Sequence, residues 1–589
     1  MGRNKYDVDE SLETGFNINH LKRLWGYMNP YKKKIMLSIL LMLISSCIAL
    51  IGPIIVKTAL DDLIPNGNIK GLFIVSIIYI LLLVVIAMLM KHRMYAMGEV
   101  GQNILVDIRL DLFKNLQQVP FNYYDTRPHG KILVRVVNYI NSLSDILSNG
   151  FVNLIADMVT LVITIGFMLY LNVKLTLVTL ICIPILLIVM LSIKNAQRRA
   201  NQKISTKQSN LNAYVHESIN GVKVTQAFSR KKENINIYKE VCEECSDAWM
   251  KAVRLNFLVW PTIETVSMIS ISLIYITSII LLKGTVSLGL LTAFISYVWI
   301  FWFPITNIGN FYNTLINAMA YLERIFEAMD EIPEMDKPEA IDINNIEGKV
   351  TFSNVNFEYE KGHPILEDIN IDVKKGEKIA LVGPTGAGKT TIVNLLSRFY
   401  KVEEGKILVD NIDINDVTSK SLRKEIGVML QDTFIFSGTI IDNIRYGKLD
   451  ATEDEVIKAA KIVRAHDFII DFEKGYNTYL NEQGSDLSVG QRQLISFARV
   501  LLADPKILIL DEATSSIDTE TEELLQEGLE ELLKGRTSFV IAHRLSTIIN
   551  SDKIMYVGNK KILESGTHSE LIKKKGNYYK LYRSQFLEA

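Results

Sequence analysis

Two stretches of this chain bring together residue types that handle polyphosphates. Gly383-Pro384-Thr385-Gly386-Ala387-Gly388-Lys389-Thr390, followed by Thr391, is a glycine-rich loop ending in a cation and hydroxyls. Glycines let successive backbone N–H groups curve around an anion, and a helix opening at Lys389 adds its positive end. The Lys389 ammonium is then in reach of β and γ phosphates, and the Thr390 hydroxyl suits Mg²⁺. The second stretch, Ile507-Leu508-Ile509-Leu510-Asp511-Glu512, delivers two carboxylates to the end of an apolar segment. Asp511 suits a Mg²⁺ shell, and Glu512 suits polarising an attacking water. An Asp-Glu pair by itself is ordinarily solvated surface charge; it gains meaning beside the phosphate loop.

Both motifs need a sheet to hold them. Lys378 to Val382 and Lys506 to Leu510 are short, continuous and apolar, the pattern of central parallel strands covered by helices on both faces. Upstream, Val350, Phe352, Val355 and Phe357, then Ile369, Ile371 and Val373, alternate with polar residues as half-buried antiparallel strands do. This is an α/β nucleotide-binding pattern beginning near Gly348, and α/β sheets bind ligands at the carboxyl ends of their strands.

The first half of the chain is of another kind. Of the 589 residues 49% are hydrophobic and 22% charged, the two kinds segregated along the chain. Six runs of about 20 mostly apolar residues, the length that crosses a bilayer, lie at approximately Ile35–Val56, Gly71–Met90, Gly150–Leu171, Val173–Ile193, Phe257–Leu282 and Leu288–Phe311. Long basic stretches follow the second and fourth runs, so the positive-inside rule places those loops and both chain ends in the cytoplasm. Their apolar and charged residues recur at helical spacing, which predicts helices extending beyond the membrane. Turn-and-short-helix patterns sit near their tips, at Tyr123 to Gly130 and Glu217 to Val224. Met1 to His20 is mixed in charge and lacks signal-peptide order. A net charge of −1 argues against nucleic acid as a partner, and Cys242 with Cys245 forms a lone CxxC to which no role is assigned.

On these residues the second half resembles an ABC nucleotide-binding domain, and nearly the full length resembles a half-transporter of the multidrug and lipid exporter type. The resemblance rests further on Leu487-Ser488-Val489-Gly490-Gln491, similar to the family signature, and on Tyr359, similar to the aromatic that stacks on adenine. Gln431 is similar to the glutamine between the ATP site and the membrane domain, where it also joins the Mg²⁺ ligands. Glu482 with Gly484 is similar to an exporter-specific stretch, Ser515-Ser516-Ile517-Asp518 to an interface loop, and His543 to the switch histidine. The implied fold is a multidomain membrane protein, an all-α six-helix transmembrane domain followed by an α/β P-loop NTPase domain. The boundaries are 1–34 for an N-terminal elbow, 35–328 for the transmembrane domain, 329–347 for a linker and 348–589 for the cassette. The implied activity is ATP hydrolysis with Mg²⁺, with Glu512, His543 and Lys389 catalytic and Ser488, Gly490 and Gln491 closing on ATP held by a second subunit. The implied location is the bacterial plasma membrane, with termini and cassette cytoplasmic.

The signature carries Val489 where the family has glycine, which removes φ freedom and puts a branched side chain near the phosphate. This favours a heterodimer with a related half-transporter over a homodimer. For cargo, Asp157 and Glu264 are carboxylates within apolar runs, costly enough to suggest function. With Tyr297, Trp299 and Trp302 they suit an amphipathic, drug-like cation; helix packing with satisfied carboxyls is the plainer reading. The function reached is ATP-driven export by alternating access. A lipid flippase is the nearest alternative and an ATP-gated channel or regulatory subunit the more distant one, which Glu512 and His543 disfavour.

Overall fold

The computed structural model describes residues 18–127, 129–144, 146–281, 286–429, 433–511, 519–542 and 544–584. They form two compact units. One comprises residues up to 118 together with 127–331, the other residues 119–126 together with 332 onward.

The first unit is helical. Its principal helices are α1 (Ile18–Met28), α2 (Lys32–Thr58) and α3 (Ile69–Leu116). A short helix of the other unit, α4 (Phe121–Asp125), intervenes in sequence. Then come α5 (Phe151–Leu171), α6 (Val173–Asn220), α7 (Val222–Ala227), α8 (Lys231–Asn256), α9 (Val259–Ile276) and α10 (Leu288–Met329). Six helical segments among the described residues are long and apolar enough to cross a membrane, and each overlaps one of the six apolar runs. At 1.5 Å per residue, the 48 residues of α3 and of α6 make helices about 72 Å long. Some 30 Å suffices for the hydrocarbon, so the remainder are the extensions that the charge pattern predicts. Pro53, Pro184 and Pro304 lie inside continuous helices. Pro261 is the third residue of α9, where its missing N–H costs no helical bond.

The bundle core gathers Leu50, Met168, Leu175, Leu186, Phe294 and Phe301 from α2, α5, α6 and α10. Asp61, in the turn after α2, fastens the start of α10. Its carboxylate accepts the Gly289 N–H at 2.7 Å and the Ser287 hydroxyl, placing negative charge at a helix N-terminus. A side chain at Gly289 would not fit, because its Cβ would lie 2.6 Å from both Asp61 Oδ1 and the Lys57 carbonyl.

The second unit is an α/β domain. A four-stranded antiparallel sheet in the order β2-β1-β4-β5 contains β1 (Val350–Glu358), β2 (Pro364–Val373), β4 (Glu404–Val409) and β5 (Ile412–Asp413). A six-stranded sheet in the order β12-β11-β3-β10-β9-β6 contains β3 (Lys378–Val382), β6 (Ile426–Met429), β9 (Ile507–Asp511), β10 (Thr537–Ile541), β11 (Lys553–Gly558) and β12 (Lys561–Gly566). A two-stranded ribbon pairs β7 (Gly438–Thr439) with β8 (Tyr479–Leu480). The central strands β3, β10, β9 and β6 run parallel. Strand alternation explains their unbroken apolar sequences. Ile379, Leu381, Ile507, Ile509, Phe539 and Ile541 enter the core shared with the antiparallel sheet. Ala380, Val382, Leu508, Leu510 and Val540 enter the helical core on the other face.

Residues 332–347, read from the sequence as linker, pack on this domain. The buried Arg398 guanidinium donates to the Ile414 and Val417 carbonyls and to Asp336 at 2.7 Å. Burial works to raise the Asp336 carboxyl, but hydrogen bonds from Ser419 and the Arg398 charge outweigh it and hold the group below the usual carboxylate range. All four cysteines are free thiols, and among the described residues no cluster of side chains could hold a metal by itself.

Candidate nucleotide site

The phosphate loop links β3 to α11 (Lys389–Leu396). Gly383, Gly386 and Gly388 all have left-handed φ, +148°, +79° and +100°. At Gly383 glycine is compulsory twice over, since a Cβ there would lie 2.1 Å from the Val557 carbonyl oxygen. Pro384, Thr385 and Gly386 are exposed along the loop and Ala387 is half-buried. Nothing lies within 4 Å of where a Cβ would stand on Gly386, so the mouth of the loop is open to a ligand. Lys389 is buried, and its ammonium donates to the carbonyls of Gly383 at 2.8 Å and Pro384 at 3.0 Å. Burial lowers the Lys389 pKa and the nearby Asp511 carboxylate opposes that shift. Thr390 on the first turn is exposed, and Thr391 is buried with its hydroxyl 3.2 Å from that of Tyr359.

The sheet aligns the second motif with the first. Ile541 of β10 pairs with Leu381 on one side and Asp511 on the other. Asp511 therefore ends its strand level with the strand end that enters the loop, two strand spacings or about 9.6 Å across. Tyr359 packs edge-on to Tyr400 and Phe357, with ring centroids 4.9 Å away in each case. This keeps a half-exposed aromatic face beside α11.

The signature opens α12 (Val489–Ala503). Ser488 is its N-cap in a reciprocal capping box. The Ser488 hydroxyl accepts the Gln491 N–H at 3.2 Å, and the Gln491 side chain accepts the Ser488 N–H at 2.9 Å. Gly490 is buried so tightly that a Cβ would lie 2.1 Å from the Thr521 methyl. Val489 takes the first helical position with ordinary helical backbone and stands 38% exposed. The φ freedom of glycine, one of the two grounds for reading Val489 as disabling, is not used at this position. Gly484 has φ +60° and packs on Ile435, ending a short 3-10 turn from Glu482. Gln431, Glu512, Ser515 to Asp518 and His543 lie outside the described residues.

Comparison with known proteins accords with this geometry. A family model described as the ABC transporter transmembrane region matches residues 35–305, and one described as ABC transporter matches residues 366–515. An uncharacterised ABC transporter ATP-binding protein, YknV of Bacillus subtilis (strain 168), is 41% identical over 592 residues, covering 99% of this chain and 97% of the relative. The chain belongs to the ABC transporters, as a half-transporter of the exporter type. Other relatives are the putative multidrug export ATP-binding/permease protein YgaD of Bacillus subtilis, 37% identical over 96% of this chain and 99% of its own, and an ATP-dependent lipid A-core flippase of Syntrophus aciditrophicus, 34% identical over 100% and 98%. The structure of a bacterial Atm1-family ABC exporter with ATP bound superposes with a TM-score of 0.80 at 27% identity, covering 94% of this chain and 98% of that one. This ABC half-transporter is thus a multi-pass membrane protein whose cassette binds ATP and couples its hydrolysis to export, and proteins of this architecture work as dimers.

The membrane candidates divide. Tyr297 is fully buried, donates its hydroxyl to the Leu50 carbonyl at 2.6 Å and stacks near Phe167. Trp302 is buried with its indole N–H unpaired. Both pack within this protomer's bundle. Asp157 is half-buried, with Asn307 and the Arg93 cation near it. Glu264 is exposed on α9 and Trp299 is 47% exposed on α10, so these two of the five are the exposed ones in this protomer. Sequence reasoning also missed a contact. The Phe121 ring of α4 packs tilted against Phe399 with centroids 4.4 Å apart, and the Tyr400 hydroxyl donates to the Asp125 carboxylate. No spacing rule flags it, because the partners lie about 275 positions apart in sequence.

Proposed function

We propose that this half-transporter exports an amphipathic, drug-like substrate across the bacterial plasma membrane, with its cassette and termini cytoplasmic. One observation carries the reading: Glu264 and Trp299 are open on adjacent-in-sequence membrane helices, at depths where an unpaired acid has no structural use. Counting from Ser287, Trp299 lies about 18 Å into α10, too deep for an interfacial aromatic belt. An acid and an indole suit a lipophilic cation. The name of the multidrug export relative supports this class, and that of the lipid A-core flippase supports a lipid.

Within the cassette, Thr390, Asp511 and Gln431 would hold Mg²⁺, which supplies charge neutralisation at the phosphates. The loop amides and Lys389 bind the phosphates, Tyr359 stacks on the base, and Glu512 takes a proton from the attacking water with His543 on the γ-phosphate. Ser488, Gly490, Gln491 and Asp518 serve the ATP of a second subunit. Ser488 accepts the Gln491 N–H and the Gln491 side chain accepts the Ser488 N–H, which leaves the Ser488 hydroxyl proton and the Gln491 side-chain N–H groups to donate to a phosphate. The tip around α7 shows Ile219, Val224 and Phe228 exposed, an apolar patch suited to the partner's cassette. The heterodimer reading now rests on the branched Val489 side chain, because the backbone there is ordinary helix.

Proteoliposomes test the cargo. ATP-dependent uptake of a lipophilic cationic dye that falls at least tenfold in Glu264→Gln is the expected result. Translocation of a fluorescent phospholipid with no dye transport would replace the drug reading with the flippase.

A further inference from the structure

Beside the membrane, α6 and α8 form an open groove of about 480 Å³ that takes part in none of the ATP chemistry. Four cations line it, Arg199 and Lys203 from α6 and Lys251 and Arg254 from α8, over a floor that includes Ala248. All four are exposed, and none forms an ion pair among the described residues, whereas the neighbouring Lys207 is bound to Glu244 at 2.8 Å. The nearest carboxylate in sequence, Asp247 one turn before Lys251, pairs with none of them. Four like charges held within two helical turns repel one another.

The walls are rigid. Asn256 bridges the helices through Gln197 at 3.1 Å and Asn201 at 3.4 Å at one end. At the other, Lys207 meets Glu244, and the Cys245 thiol donates to Gln208 at 3.5 Å. The depth is specific too. Taking the fourth apolar run to end at Ile193 and the fifth to begin at Phe257, Arg199 is about 9 Å beyond the membrane end of α6 and Arg254 about 4.5 Å before that of α9. The headgroup layer is roughly 5–8 Å thick on each side. The groove therefore faces the headgroups and the first few ångströms of water beyond them. Above it the lipid side is apolar, with Ile188 of α6 and Trp260 of α9 both exposed.

We propose that this groove binds the phosphate of an anionic phospholipid headgroup in the inner leaflet, with the acyl chains along the exposed apolar faces of α6 and α9. Basic pockets between membrane helices on the cytoplasmic side have the chemistry for such headgroups. The ligand is a resident lipid, distinct from the cargo, and "inner leaflet" rests on the orientation proposed above.

Native mass spectrometry of the full-length protein, titrated with phosphatidylglycerol and with phosphatidylcholine, tests the site. Wild type binds phosphatidylglycerol in preference. The quadruple variant Arg199→Gln, Lys203→Gln, Lys251→Gln, Arg254→Gln binds it at least tenfold more weakly, with phosphatidylcholine unchanged, and Arg254→Gln alone loses about fivefold. Retained binding of a fluorescent ATP analogue shows that the variants are folded. Equal phosphatidylglycerol binding by wild type and quadruple variant overturns the proposal. So does full displacement of the lipid by millimolar inorganic phosphate, which would mark a site for soluble phosphate. Binding in detergent does not depend on which side the cassette faces. Protease accessibility of the cassette in intact cells reads that separately, so a wrong orientation and a wrong site give different results.

Discussion

Gly383 shows how much of this protein is decided by single backbone positions. Its φ of +148° and the Val557 oxygen that would stand 2.1 Å from a Cβ leave room for no other residue. Gly383→Ala combines left-handed strain with a clash against backbone, and it is expected to destabilise the cassette by about 3 kcal/mol or more. A thermal-unfolding comparison of the isolated phosphate-loop variants within the full chain checks this: Gly386→Ala, whose Cβ meets nothing within 4 Å, should cost less. A reversed ranking would show that the loop relaxes away from Val557. At this scale the sequence was highly legible, because a glycine-rich loop with its lysine has few other uses. Val489 was the exception. Its consequence depends on whether the position needs a left-handed φ, and only the structure shows that it begins an ordinary helix.

Elements were legible where periodicity or length decided them. Six apolar runs became six helices that can cross a membrane, and the unbroken apolar strands became central strands because both of their faces are covered. What periodicity does not carry is which short helix packs on which domain. α4 reads in sequence as one loop tip among two, yet it belongs with the cassette through Phe121 on Phe399 and Asp125 with Tyr400. Tyr400 is held further up the titration scale by burial and by that carboxylate, and its ring also packs on Tyr359. The same tyrosine thus touches both α4 and the aromatic proposed to stack on adenine, a short path from nucleotide to the helix that follows α3 in the chain. Phe121→Ala is expected to leave ATP binding within about twofold while reducing transport per ATP hydrolysed by roughly tenfold, the scale of a coupling energy near 1–2 kcal/mol. Simultaneous measurement of both rates in proteoliposomes tests it. A proportional loss of the two would make the contact structural only.

For the whole molecule, charge pattern and motif order together announced an ATP-driven exporter, and the relatives and the superposed exporter bear that out. Cargo was less legible, because aromatic and acidic residues within a membrane helix serve packing as readily as binding. Tyr297 and Trp302 turned to the core, leaving Glu264 and Trp299 open. Partner choice is legible in neither the apolar runs nor the strands, since an interface between copies leaves no period of its own in the sequence. The most direct test of the central claim is ATP hydrolysis by this chain expressed alone and reconstituted in lipid, beside its Glu512→Gln variant. The account predicts hydrolysis that the variant abolishes while still binding ATP, with Glu512 as the catalytic carboxylate. Hydrolysis undiminished in Glu512→Gln would contradict the account, because Glu512 would then not be the group that activates water.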